Sequence, residues 1–114
     1  MKLRLVASLL LFASISFFTG CPEQTTIARV TNDPARYRNK EILVVGQVTN
    51  SFGALGEGIY ELSDETGKIW VITRRGTPSK GARVGAVGKY VPGVTWAGRS
   101  LANALQETDR KQVQ

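Results

Sequence analysis

The chain has 114 residues, with 15 Lys and Arg against 9 Asp and Glu, one Cys and no His. Without His or a second Cys it has no Cys/His zinc site, no His-ligated haem and no Ser-His-Asp or Cys-His nucleophile. No disulfide can form within the chain, so the fold must rest on its apolar core.

Lys2 and Arg4 form a positive start, Leu5 to Phe18 is apolar apart from small serines, and Phe18-Thr19-Gly20-Cys21 closes the run. This is the layout of a secretory leader. The run is shorter than the roughly 20 apolar residues a spanning helix needs. Its last four residues resemble a bacterial lipobox, with Phe18 where Leu is usual. The resemblance implies that residues 1–20 are a lipoprotein signal peptide. It also implies that Cys21 is acylated and that the exported chain is anchored in the cell membrane or the outer membrane. Pro22 follows the cysteine, where an Asp would favour retention at the inner membrane. Plain secretion and an uncleaved anchor are the alternatives. Removing Lys2 and Arg4 from the 15 basic residues leaves 13 against 9 acidic ones, a balance of about +4. That bias suits anionic partners and equally suits plain solubility.

Residues 21–26 read as a lipid-attached tether. Thr26 to Asn32 predicts one or two helical turns with Ile27 and Val30 on one side, stopped by Asp33-Pro34. Arg36 to Lys40 reads as a polar turn. Ile42 to Val48 is β-branched, with Gly46 marking a bulge or bend. Ser51 to Gly58 reads as a glycine-rich loop. Tyr60 to Val71 reads as a hairpin turning at Asp64-Glu65-Thr66-Gly67. Arg74 to Gly81 is a loop and Arg83 to Val91 a strand containing Gly88. Pro92 to Gly98 is a second Gly/Pro loop. Ser100 to Thr108 is ambiguous: its composition favours helix, whereas Leu101, Asn103 and Leu105 also alternate as in a strand. Residues 109–114 read as a flexible polar tail.

Five short strands with glycine-bearing bends predict a mainly β fold, a small five-stranded barrel with a short N-terminal helix. The segments Asn32-Asp-Pro34 … Tyr37 … Lys40, Val44-Val-Gly46-Gln-Val48, Tyr60-x-Leu62-x-Asp64-x-x-Gly67-x-Ile69-x-Val71 and Pro78-x-x-Gly81-x-x-Val84 … Gly88 carry a resemblance. The chain resembles OB-fold domains of the anticodon-binding and single-strand-binding superfamily, and exported bacterial OB-fold proteins. The resemblance covers roughly Thr26 to Glu107 and implies an OB-fold domain over residues 27–108. It speaks for fold more than for function. The helix that OB folds often carry between strands three and four is replaced by the Arg74–Ala82 loop.

OB folds bind ligands on the face of strands two and three, flanked by the loops joining strands one to two and four to five. By that resemblance the loops are Asn50–Gly58 and Pro92–Gly98, and the candidate ligand-binding residues are Phe52, Trp70, Arg74, Trp96 and Arg99. Aromatic and cationic side chains on an open groove suit stacking on bases or sugars. Trp70 also fits a core position beside Ile69 and Val71, and the outward parity of this strand is open. Arg74, Arg75, Lys80 and Arg83 cluster with no acid among them. They read as a phosphate-contacting patch or as a solvated loop. Glu57, Glu61, Asp64 and Glu65 show neither catalytic pairing nor metal-ligand spacing. Asp64 is better explained as a turn residue.

These readings predict a monomeric, non-enzymatic, membrane-anchored envelope lipoprotein. It has no cofactor and no metal, and its OB module binds a protein, peptide or glycan partner. The alternative is a single-stranded nucleic-acid-binding OB-fold protein. A cofactor or haem chaperone is weakened by the missing His.

Overall fold

A computed structural model describes residues 22–54 and 56–113. The expected signal peptide, residues 1–20, and the expected lipidation site, Cys21, lie outside the described residues. Among the described residues no helix is long and apolar enough to cross a membrane.

Strand β1 (Glu23–Gln24) is followed by helices α1 (Ile27–Asn32) and α2 (Pro34–Tyr37). Of the seven strands that form the barrel and its cover, six come next: β2 (Glu41–Ala54), β3 (Glu57–Ser63), β4 (Lys68–Thr73), β5 (Arg83–Tyr90), and the hairpin strands β6 (Val94–Trp96) and β7 (Arg99–Leu101). Strand β8 (Ala104–Gln112) completes the chain.

The barrel closes because β2 serves two partners. Its first half, Glu41 to Gln47, pairs antiparallel with β5. From Gln47 to Ala54 it pairs with β3, with a register shift between Val48 and Asn50. The order β2-β3-β4-β8-β5 then returns to β2, with β4 and β8 parallel. This is a closed five-stranded OB-fold barrel with a short N-terminal helix. Alternation sends Ile42, Val44 and Val48 inward, against Tyr60, Leu62, Ile69, Val71, Val84, Ala86, Tyr90 and Leu105. Fully burying an aliphatic or aromatic side chain contributes about 1.5–3 kcal/mol. This inward set therefore carries most of the fold.

Helix α1 is too short to persist by propensity alone. Ile27 and Val30 bury against the barrel end, Thr26 Oγ1 accepts from Arg29 N at 3.4 Å, and Ile27 N donates to Asp64 Oδ2 at 3.0 Å. The Asp64–Gly67 turn is as expected: Asp64 Oδ1 accepts from Thr66 N at 2.7 Å and Gly67 N at 3.0 Å.

Several expectations need correction. Within the tether, Glu23 and Gln24 form a strand parallel to Ile42 and Leu43, and Thr25 is buried, because the open edge of β2 offers backbone partners. The polar turn at Arg36 to Lys40 begins inside α2, where Tyr37 is buried in the core. Strand β2 runs to Ala54, so most of the anticipated glycine-rich loop is a hairpin arm. Pro92–Gly98 contains β6. The ambiguous segment is not helix: it holds the end of β7, a bend at residues 102–103 and, from Ala104, strand β8, whose two edges pair with β4 and β5, and that pairing overrides helix propensity. The strand continues past residue 108, so Asp109 to Gln112 pair with Val87 to Val84 instead of forming a tail.

Candidate aromatic cleft

The parity left open for β4 is settled by burial. Ile69, Val71 and Thr73 face the interior, and Trp70, Ile72 and Arg74 face out. On β3, Ile59 lies opposite Ile72 and Glu61 opposite Trp70. Phe52 on β2 lies opposite Ile59, so Phe52, Ile59 and Ile72 form a row across the outer face. The Phe52 and Trp70 rings sit 6.3 Å apart at 39°, within the range of favourable aromatic pairs.

The β6–β7 hairpin folds over this face. Its turn residues Ala97 and Gly98 both have positive φ, 48° and 79°, the mark of a type I′ connection. Trp96 and Arg99 are the cross-strand pair flanking that turn. Leu101, Ala104 and Ile59 are buried, with Trp70, Ile72, Val91, Val94 and Trp96 packed around them. They form a second apolar cluster outside the barrel.

Between the hairpin and the sheet lies a cleft of about 160 Å³ lined by Phe52, Ile59, Trp70, Trp96, Arg99 and Leu101. Four of the five residues selected from sequence therefore converge. Phe52 remains 49% exposed and is the one exposed large hydrophobic side chain among the described residues. Arg99 takes part in no ion pair among the described residues. Trp70 is half-buried, so it belongs to the outer cluster and not to the barrel interior.

Arg74 does not line the cleft. It faces out two positions beyond Ile72, is 87% exposed, and pairs with Glu57 at 3.7 Å. The basic cluster is likewise not free of acids in space: Arg75 contacts Asp109 at 3.4 Å and donates to Thr108 O at 2.7 Å. Such exposed pairs add little stability, but they reduce the cluster's pull on a phosphate. Glu61 Oε1 accepts from Thr49 Oγ1 at 2.8 Å and Asn50 Nδ2 at 2.9 Å. Three of the four carboxylates singled out from sequence thus hold structural contacts. Among the described residues no group of three or more acids or Cys forms a metal-binding cluster.

Sequence reasoning missed Ile59 and Leu101. Both read as core residues of a strand or an ambiguous segment. Only the folding of the hairpin onto the outside of the barrel makes them the floor and wall of a cleft.

No protein-family model matches this chain, and neither does any curated protein. Among solved structures, it is similar to part of a protein assigned as an aspartyl-tRNA synthetase from Leishmania major Friedlin. The TM-score is 0.60 at 13% identity, over 83% of this chain and 22% of that one. It is also similar to part of the Entamoeba histolytica asparaginyl-tRNA synthetase, with a TM-score of 0.62 at 15% identity, over 83% of this chain and 24% of that one. The same enzyme in complex with asparaginyl-adenylate gives a TM-score of 0.61 at 15% identity. The chain thus spans about a quarter of the length of these enzymes, and the likeness is one of OB fold.

Proposed function

We propose that this chain is a non-enzymatic OB-fold module that binds single-stranded nucleic acid, with unpaired bases stacking in the aromatic cleft. The observation that carries the reading is the convergence of Phe52, Trp70, Trp96 and Arg99 on the outer face of β3 and β4. Base–aromatic stacking contributes about 1–3 kcal/mol per base. The similarity to a segment of two tRNA synthetases, enzymes named for a nucleic-acid substrate, supports it. So does the basic balance of the chain. Arg99 at the cleft, and Arg74 beyond it once released from Glu57, are the cations within reach of phosphate. Two contacts predict a modest salt slope of about −1.4, at roughly −0.7 per phosphate.

Fluorescence anisotropy of a labelled oligonucleotide across a salt series tests the proposal. Phe52→Ala should weaken binding at every salt concentration while leaving the melting temperature unchanged, because Phe52 is half exposed. Binding indifferent to Phe52 would remove the cleft from the account.

The leader-like residues Lys2 to Cys21 favour a second reading, in which the module is tethered at the cell envelope and the same cleft takes a protein, peptide or glycan partner. Capture of an envelope component by the domain, together with no oligonucleotide binding at any salt, would select that reading.

A further inference from the structure

We infer that the cleft admits one monocyclic ring per domain, so that the module anchors a single pyrimidine base and not a run of stacked bases. The inference rests on the nucleic-acid reading above and specifies its ligand.

The first ground is the roof. Ile59 and Ala104 lie outside the barrel, yet they are 3% and 0% exposed, because the β6–β7 hairpin packs over them with its own Leu101, itself 7% exposed. That hairpin is not a loose loop. Val94 to Trp96 pair with Leu101 to Arg99, Gly93 N donates to Ala102 O at 3.1 Å, and Val91 N donates to Ala104 O at 2.9 Å. A strand of nucleic acid crossing β3 and β4 with successive bases stacked would need that covered surface. What remains accessible is the cleft and the exposed edge of Phe52 at its mouth.

The second ground is size. An apolar cavity of about 150 Å³ lined by Leu, Ile and Phe holds one benzene ring. The present cleft is about 160 Å³, with Phe52, Ile59, Trp70, Trp96 and Leu101 as its apolar lining. A six-membered base matches that space, whereas a fused bicyclic purine would extend past Phe52 at the open mouth and leave part of its ring unstacked. The third ground is charge. Arg99 faces Trp96 across the hairpin at the same cleft, so the nucleotide whose ring enters brings its phosphate beside a guanidinium.

The test is a length and base series of unlabelled oligo(dT) and oligo(dA), from 2 to 15 nucleotides, titrated at one fixed ionic strength against the tryptophan emission of the full domain. Affinity for oligo(dT) should rise from the shortest to the longest by no more than the roughly eightfold increase in bases offered. Oligo(dA) should bind several-fold more weakly. Leu101→Ala, which enlarges the cleft, should narrow the gap between dA and dT. A hundredfold or greater gain with length, or a stoichiometric site of several nucleotides, would overturn the single-base inference and leave the nucleic-acid reading standing. Equal binding of dA and dT by the unaltered protein would overturn the monocyclic preference. Unchanged emission while a labelled oligonucleotide still binds would overturn this inference by placing the contact outside the cleft, and absence of binding by either readout would overturn the nucleic-acid reading itself.

Discussion

Inside the barrel, the hydroxyl of Tyr60 on β3 donates to Oε2 of Glu107 on β8, whose side chain has no solvent exposure. Thr73 Oγ1 donates to the other carboxylate oxygen at 2.8 Å, and the Arg110 guanidinium lies 5.7 Å from the centre of the Tyr60 ring. Burial, then the Glu107 carboxylate beside it, pushes the Tyr60 hydroxyl far above its ordinary value of 10.0. The unfolded chain ionises this tyrosine as pH passes 10, and the native barrel does not. The native state then binds more protons, so stability present below pH 10 falls as pH rises. Tyr90 is pushed upward too, by burial.

Tyr60→Phe leaves a buried carboxylate short of one donor. It should cost about 1–3 kcal/mol at neutral pH. It should also flatten the alkaline decline by up to about 1.4 kcal/mol per pH unit, the share of one titrating group. Denaturant unfolding at pH 7 and in steps above pH 10 gives both numbers. An alkaline limb identical to that of the unaltered protein would disprove the assignment.

Gly46 and Gly88 are required for close approach and not for unusual dihedrals, since neither is among the positive-φ residues. A Cβ at Gly46 would stand 2.5 Å from Ser63 O, and one at Gly88 would collide with Gln106 O. Both obstacles are backbone of a paired strand, which cannot swing aside. Gly46→Ala and Gly88→Ala should each destabilise by about 1–3 kcal/mol, as overpacking does. Gly56, whose absent Cβ would meet nothing within 4 Å, is the internal contrast, because there only the positive φ of 79° opposes a side chain. Thermal melts indifferent to the Gly46 and Gly88 changes would refute the packing argument.

The barrel was legible in the sequence because its signals are local. Asp64-Glu-Thr-Gly67 gives the turn, β-branched alternation gives β2 and β4, and Asp33-Pro34 stops the helix. The glycines were read correctly as special positions: the β5–β8 register shift falls at Gly88, and at both glycines the backbone of a neighbouring strand also excludes a side chain. Phe52, Trp70, Trp96 and Arg99 could be picked out because aromatic and basic residues in the OB positions are conspicuous, and the fold brings these four to one cleft. What pairs over long range was not legible. Asp109 to Gln112 is polar and looks like tail, and only its pairing with Val84 to Val87 makes it strand. The hairpin at Val94 to Leu101 was hidden because Ala97 occupies a turn position usually marked by Asn, Asp or Gly.

That alanine carries strain. An L-residue in the left-handed region costs about 1–2 kcal/mol, and glycine removes the clash while adding unfolded-state entropy. Ala97→Gly should therefore stabilise the domain by about 0.5–1 kcal/mol, and Ala97→Val should destabilise it. Melting temperatures that move in the opposite order would show that the turn is not held in this conformation.

The envelope address remains a proposal on residues 2–21. If Cys21 is acylated, Cys21→Ser should shift the expressed protein from the detergent phase to the aqueous phase and leave the leader attached. Partitioning unchanged by the substitution would remove the lipid anchor from the account.

The chain has two tryptophans, and both line the cleft. Their emission therefore reports on the proposed site with no label and no competing background. Titrating the domain with unlabelled oligo(dT) at about 150 mM salt tests the central claim most directly. Saturable quenching that weakens in Phe52→Ala is the predicted result. Emission that stays constant while a labelled oligonucleotide still binds would place the contact elsewhere on the barrel and contradict the account.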